Sequence, residues 1–299
     1  MPSTARIGFA GLGAIGRPMA VHLARRGGLT VWNRTASVAK EFARAEKATA
    51  VATPRELAAA SDVVVTCLST SGDVASVLDG PDGLLAGFAR GSLLLDCTSG
   101  DPATSRHIAE RLAAKGVDFA DAPVSGGTNG AEAAKLTVMV GASDAVFARA
   151  RPVLDAFGQR IEHLGPIGAG DAMKAVNNAL LALNIIAVGE GVAALAKAGV
   201  APRKAIEALN SSSGRSFVSE VLVPERVLTG RWPNTFRLAL LDKDVGIAIG
   251  LLHETGVDGP LLEQTGALMH AARTQLGERA DYLEAIKLIE RQAGVELRG

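Results

Sequence analysis

Short apolar runs alternate with amphipathic stretches through the first half of the chain, and the alternation predicts strands and helices in turn. Arg6 to Ala10, Leu29 to Asn33, Ala48 to Ala52, Asp62 to Cys67, Ser92 to Asp96 and Val117 to Asp121 read as strands. Ile15 to Arg26, Ser37 to Arg44 and Thr104 to Lys115 carry helical spacing between them. Strands that alternate with helices in this way form a doubly wound, mainly parallel sheet. Leu136 to Gly141 and Arg160 to Leu164 read as two further strands. After Gly165-Pro166-Ile167-Gly168 the rhythm changes and every later segment reads as helix: Ala169 to Ala198, Pro202 to Ser211, a shorter piece near Ser216, Phe236 to Thr255, and Pro260 to Leu276.

The first strand runs into Gly11-Leu12-Gly13-Ala14-Ile15-Gly16, a glycine turn that opens a helical pattern. Gly11 permits the sharp turn, Gly13 lets the backbone approach a pyrophosphate, and Gly16 lets the helix pack on the strand. The helix amides then face the anion. A second strand follows about 20 residues later, as this dinucleotide fingerprint requires. We therefore expect an α/β Rossmann domain over residues 1–165 and an all-α domain over 166–299, joined through a long helix. An NAD site places an acidic residue at the end of the second strand. Here Asn33-Arg34-Thr35 stands there instead. An amide, a guanidinium and a hydroxyl suit a 2′-phosphate, so the expected cofactor is NADP(H), with NAD as the alternative.

Composition narrows the partners. A chain of 299 residues that is 48% hydrophobic can fill two cores. Its 31 basic and 31 acidic residues leave no excess charge to attract nucleic acid. The charge-free apolar stretch between Lys174 and Glu190 falls short of the ~20 residues of a bilayer span and reads as a buried helix. No membrane partner is expected. Cys67 and Cys97 end apolar strands, which points to free core thiols in a reducing cytoplasm. No Cys/His cluster suggests a metal, and no leader peptide precedes the first strand.

Ligands in such sheets bind beyond the carboxyl ends of the strands. Leu68-Ser69-Thr70-Ser71-Gly72-Asp73-Val74 and Asp96-Cys97-Thr98-Ser99-Gly100-Asp101-Pro102 lie there. Turn and capping chemistry accounts for these two as well as ligand binding does. Asp121-Ala122-Pro123-Val124-Ser125-Gly126-Gly127 adds successive amides beside a hydroxyl, which suits a carboxylate, and shows no obvious helix start. In the second domain a single lysine, Lys174, opens a strongly apolar helix, with Asn177 and Asn178 one turn on. A buried ammonium without a role would be costly.

Taken together these blocks resemble the β-hydroxyacid dehydrogenases, the group similar to 3-hydroxyisobutyrate dehydrogenase, almost from end to end. The matching blocks are Gly11 to Ala20, Asp121 to Gly127, Gly165 to Asn178, and Lys243-Asp244. The resemblance implies a Rossmann domain joined to a helical one, assembled as homodimers or homotetramers, acting on a small-molecule acid. It makes Lys174 the acid/base, with Asn178 orienting substrate and Ser125, Gly126 and Gly127 binding its carboxylate. It places Leu68, Ser69, Val74, Thr98, Ser99 and Lys243 on the cofactor side. Three departures stand out: Ile15 where Met is frequent, Ala134-Lys135 for Gly-Thr, and Phe217 for Trp beside Gly214-Arg215-Ser216.

The implied reaction is hydride transfer between the nicotinamide and a small β-hydroxy acid or semialdehyde, with Lys174 moving the proton. A lysine at its ordinary pKa of about 10.4 holds the proton that reduction needs, so oxidation should improve toward alkaline pH. Asp171, three residues earlier, is placed to pair with Lys174 or to cap the helix. Competing readings are an imine reductase, against which Lys174 argues, a 6-phosphogluconate dehydrogenase, which needs a longer helical domain, and a non-catalytic dinucleotide-binding scaffold.

Overall fold

The computed structural model describes residues 5–299. Residues 1–4, on which the expected absence of a leader partly rests, lie outside the described residues. The chain divides into two units, Met1–Lys174 and Ala175–Gly299.

The first unit is built on a nine-stranded sheet: β1 (Ile7–Ala10), β2 (Leu29–Trp32), β3 (Thr49–Ala50), β4 (Val63–Thr66), β5 (Leu93–Asp96), β6 (Asp118–Asp121), β7 (Val124–Ser125), β8 (Leu136–Gly141) and β9 (Gly158–Gly165). Their order is β3-β2-β1-β4-β5-β6-β8-β7, with β9 on the other side of β8. From β3 to β6 all pairs are parallel, and β8 then pairs antiparallel with β6 and β7. The first six strands thus follow the 3-2-1-4-5-6 order of dinucleotide-binding sheets. The apolar runs are continuous because both faces are covered. Val63 and Val65 pack into one core cluster and Val64 into the other, as strand alternation dictates.

The eight expected strands are present with ends trimmed by up to two residues or, in β9, extended. Two elements of the Asp121 to Gly127 region differ from expectation. Val124–Ser125 forms the short strand β7 against β8. The chain then enters a helix at once, Gly127–Glu132, with Gly126 at its start and no side-chain cap. A helix that begins on glycine and lacks a capping hydroxyl offers no sequence signal. His22 ties this helix to Gly16–Ala24: its Nε2 lies 3.0 Å from the carbonyl oxygens of both Ala131 and Glu132. Ala134 adopts φ +53, a left-handed conformation that suits the glycine expected there better than alanine.

Ala169–Lys197, 29 residues long, is apolar enough to cross a membrane by length and composition. It is nonetheless part of a core: Ala175, Ala179, Ala182, Ile185 and Ile186 are buried in one cluster with Leu238, Leu241, Met269 and Ile286. The second unit continues through Pro202–Asn210, Leu238–Thr255, Pro260–Leu276 and Ala285–Ala293. The piece expected near Ser216 is a π-helix, Val218–Val227, carrying Pro224 inside it.

Candidate active site

The glycine turn fits a dinucleotide. Gly11 has φ +103, and a Cβ there would stand 2.3 Å from the Cys67 carbonyl oxygen. A Cβ on Gly16 would stand 2.0 Å from the Gly11 carbonyl, so the helix closes on the turn through hydrogen alone. Gly13 is exposed and faces open space, with nothing within 4 Å of a Cβ position. The helix that starts at Gly16 has no side-chain cap, leaving its first amides to a ligand. Ala14 and Ile15 are exposed and half-buried beside this opening, while Leu12 is buried and its amide donates to Asn33 Oδ1 at 3.0 Å.

That bond revises the part Asn33 plays. Its carboxamide accepts from Leu12 N and donates to the Thr35 carbonyl at 3.2 Å, so it shapes the turn. Arg34 and Thr35 remain exposed, the former with its guanidinium 3.5 Å from Asp73 Oδ1.

The loops after β4 and β5 split between local chemistry and an exposed edge. Thr70 caps the helix Ser71–Leu78, and Asp101 caps Pro102–Ala113, as ordinary turn chemistry predicts. Leu68 N donates to Thr98 Oγ1 at 3.0 Å, which locks the two loops together. Thr98 is buried, so its hydroxyl positions backbone, whereas Ser69 is exposed and Ser99 half-buried. Val74 has no exposed surface and packs with Ala10, Val64 and Leu94, which leaves its side chain no face for a cofactor.

Three buried aspartates lie at the ends of β5 and β6 and in the first turn of the long helix. Asp96 pairs with Asp121 in the register of the two strands. Burial pushes the Asp96 carboxyl up to about 6, against hydrogen bonds from Thr98 and Thr66 that pull it down, with the Asp121 charge adding to the rise. Asp121 is likewise raised by burial, while amides of Gly168 and Asp171 that donate to it work the other way. Asp171 stands well above the ordinary carboxylate range, first through burial and then through the charges of Asp121 and Asp96. Its carboxylate accepts from Gly100 N at 3.0 Å and Ser105 Oγ at 2.6 Å. Asp171 thus reaches out of its own helix, beyond the capping or Lys174-pairing roles expected of it. Around Asp121 the chain comes very close: a Cβ on Gly170 would stand 2.2 Å from the Met139 carbonyl oxygen and 2.9 Å from Asp121 Oδ2.

Lys174 follows one turn later and is only 8% exposed. In the same unit, Ser125 is half-buried and Gly126 and Gly127 are exposed, with φ +135 and +64. In the second unit, buried Asn178 donates to Asp244 Oδ2 at 2.6 Å and accepts from Asn177 Nδ2 at 3.1 Å. Lys243 Nζ lies 2.9 Å from the other Asp244 oxygen. Asp244 therefore fixes which way the Asn178 amide points. Asp96 and Asp121 stand outside the sequence-derived site residues, whereas Asp171 is expected there only to pair with Lys174 or cap its helix and Asp244 only to belong to a block matching the family. The available signal was that each of the first two closes an apolar strand with a charge.

A doubly wound sheet with an open glycine cradle, a buried lysine near the end of that unit and a helical unit after it define a nicotinamide-dependent oxidoreductase. A family model for the NAD binding domain of 6-phosphogluconate dehydrogenase matches residues 6–165. One described as NAD-binding of NADP-dependent 3-hydroxyisobutyrate dehydrogenase matches residues 168–289. The 2-(hydroxymethyl)glutarate dehydrogenase of Eubacterium barkeri is 38% identical over 100% of this chain and 99% of that protein. Mitochondrial 3-hydroxyisobutyrate dehydrogenase of Mus musculus is 34% identical over 83% of this chain and 76% of that one. The solved 3-hydroxyisobutyrate dehydrogenase of Mycobacterium tuberculosis superposes with a TM-score of 0.86 at 28% identity, covering 96% of this chain and 99% of its own. The chain belongs to the β-hydroxyacid dehydrogenase family, in the group similar to 3-hydroxyisobutyrate dehydrogenase, and is an NAD(P)-dependent hydroxyacid dehydrogenase.

Proposed function

We propose that this enzyme interconverts a small β-hydroxy acid and its semialdehyde, with Lys174 as general acid/base and NADP(H) as the preferred cofactor. The observation that carries the reading is Lys174 itself: an ammonium only 8% exposed, on the second turn of a helix whose first turn is hydrogen-bonded to the loop after β5 and to the end of β6. Burying such a charge without a function is costly, and the carboxyl ends of these strands are where ligands bind.

In the reductive direction Lys174 gives a proton to the substrate carbonyl oxygen, and in oxidation it takes one from the hydroxyl. Bound nicotinamide supplies or accepts the hydride. Ser125 and the amides of Gly126 and Gly127 hold the substrate carboxylate, fixing the carbonyl relative to Lys174. Asn178, oriented by Asp244, keeps the substrate oxygen in line through its remaining amide hydrogen. Arg34, exposed and held only by a 3.5 Å contact with Asp73, meets the 2′-phosphate, while an acidic residue that would exclude one is missing at the end of β2. The relative that is a 2-(hydroxymethyl)glutarate dehydrogenase extends the substrate range worth testing to hydroxymethyl dicarboxylates.

The test is Lys174→Met, assayed by NADPH absorbance with 3-hydroxyisobutyrate, 2-(hydroxymethyl)glutarate, succinic semialdehyde, glyoxylate and tartronate semialdehyde. Turnover should fall about 10²- to 10⁴-fold with NADP⁺ binding intact. A variant retaining half the activity removes Lys174 from the reaction.

A further inference from the structure

We propose that Asp171 is a positioning residue: it clamps the first turn of the long helix to the loop after β5 and so sets where Lys174 stands. This rests on the reading of Lys174 as the proton donor.

Asp171 is the third residue of Ala169–Lys197, yet its carboxylate does not serve that helix alone. One oxygen accepts from Gly100 N at 3.0 Å, in the loop after β5, and the other from Ser105 Oγ at 2.6 Å, in the helix Pro102–Ala113. Its own amide donates to Asp121 Oδ2 at 2.9 Å, and Gly168 N donates to Asp121 Oδ1 at 2.7 Å. Two carboxylates therefore join the start of one helix to the end of β6, to the loop after β5 and to the helix that follows it. The residue is 1% exposed.

Stability alone does not account for the arrangement. Burial raises the proton affinity of both carboxylates, and the Asp121 charge raises that of Asp171 further; an apolar contact of the same size would avoid that cost. A clamp does account for it. Hydrogen bonds to a carboxylate are directional, so they fix the rotation of the helix about its axis as well as its distance from the sheet. Lys174 lies three residues further, less than one turn, and inherits that rotation. A misplacement of about 1 Å at a reacting group can cost on the order of 10²-fold in rate.

The experiment compares Asp171→Ala, Asp171→Asn and Ser105→Ala with wild type and Lys174→Met in the full chain, recording kcat, KM, NADP⁺ affinity by calorimetry, the pH profile of kcat and amide hydrogen exchange over residues 166–174. Asp171→Ala should lower kcat about 10- to 100-fold with KM and NADP⁺ affinity changed less than twofold, and should speed exchange in the first turn. Asp171→Asn, whose amide can still accept from Gly100 N and donate to Ser105 Oγ, should recover to within about threefold of wild type with an unshifted pH profile. Ser105→Ala, which keeps Asp171 and serves if Asp171→Ala does not fold, should give an intermediate loss in kcat. The proposal falls if Asp171→Ala keeps more than half of kcat, or if kcat, KM and cofactor affinity decline together with no rescue by asparagine. Should Lys174→Met stay active, the reading of Lys174 fails instead, and the two failures are distinguishable.

Discussion

The two units bury carboxylates by opposite means. In the helical unit Asp281 is fully buried and meets the guanidinium of Arg226 at 2.5 Å. Thr235 N, Phe236 N, Leu283 N and Thr235 Oγ1 also donate to it, and the Tyr282 ring centre lies 5.5 Å from the guanidinium carbon. In the sheet unit Asp96, Asp121 and Asp171 are held mainly by backbone amides and hydroxyls, and burial lifts all three above the ordinary range. A cation answers the first carboxylate, and the partner is bought with the chain's own charge. Amides answer the others, at the end of the sheet where ligands bind. The contrast separates a strut, where a cation neutralises the buried charge, from a sheet edge where burial leaves the carboxylates perturbed.

Arg226→Met attacks the strut and should have the largest effect. It leaves Asp281 buried without its cation, and about 3–5 kcal/mol of stability should be lost, read from denaturant midpoints. A loss below 1 kcal/mol would mean that the amides alone suffice, and the contrast between the units would collapse.

Asp96→Asn sharpens the other side. Because burial raises its carboxyl from 3.8 to about 6, the folded chain holds a proton there that the unfolded chain releases. That favours folding below pH 4 and is lost as pH climbs to 6, a swing on the order of 3 kcal/mol. Asparagine cannot titrate, so the difference in stability between variant and wild type should change by about that much between pH 4 and pH 7. A constant difference would show that Asp96 has an ordinary carboxyl.

Arg34→Ala should cost the least stability. Its contact with Asp73 is 3.5 Å long with the arginine 88% exposed, a pair worth less than about 1 kcal/mol. Cofactor selection should nonetheless change: kcat/KM for NADPH should fall about tenfold or more with that for NADH nearly constant. Wild type preferring NADH, or a variant equally efficient with NADPH, would remove the 2′-phosphate from the assignment.

Much of this was legible in the sequence, for physical reasons. Strands buried on both faces announce themselves as apolar runs, and the glycine turn is visible because its backbone demands specific residues. Elements that depend on partners were hidden. β7 is two residues long and exists because β8 lies beside it. The helix Gly127–Glu132 has two glycines and no cap. The helix Ala285–Ala293 was passed over even though its start follows a capping box at Asp281 and Glu284. Asn33 was read toward the ligand because sequence shows which groups it offers and not which way they turn. The aspartate clamp joins Asp171 to Gly100 and Ser105 and Asp121 to Gly168 and Asp171, and only the fold of the sheet and the return of the long helix bring these residues together.

Gly170 sets a limit on redesign. The space beside it is already taken by the Met139 carbonyl oxygen, 2.2 Å from where a methyl carbon would go. By contrast, Arg215 and Phe217 carry side chains that are exposed. At Gly170 even alanine requires the strand or the helix to shift, as it would at Gly16, so positions without a side chain hold their surroundings fixed.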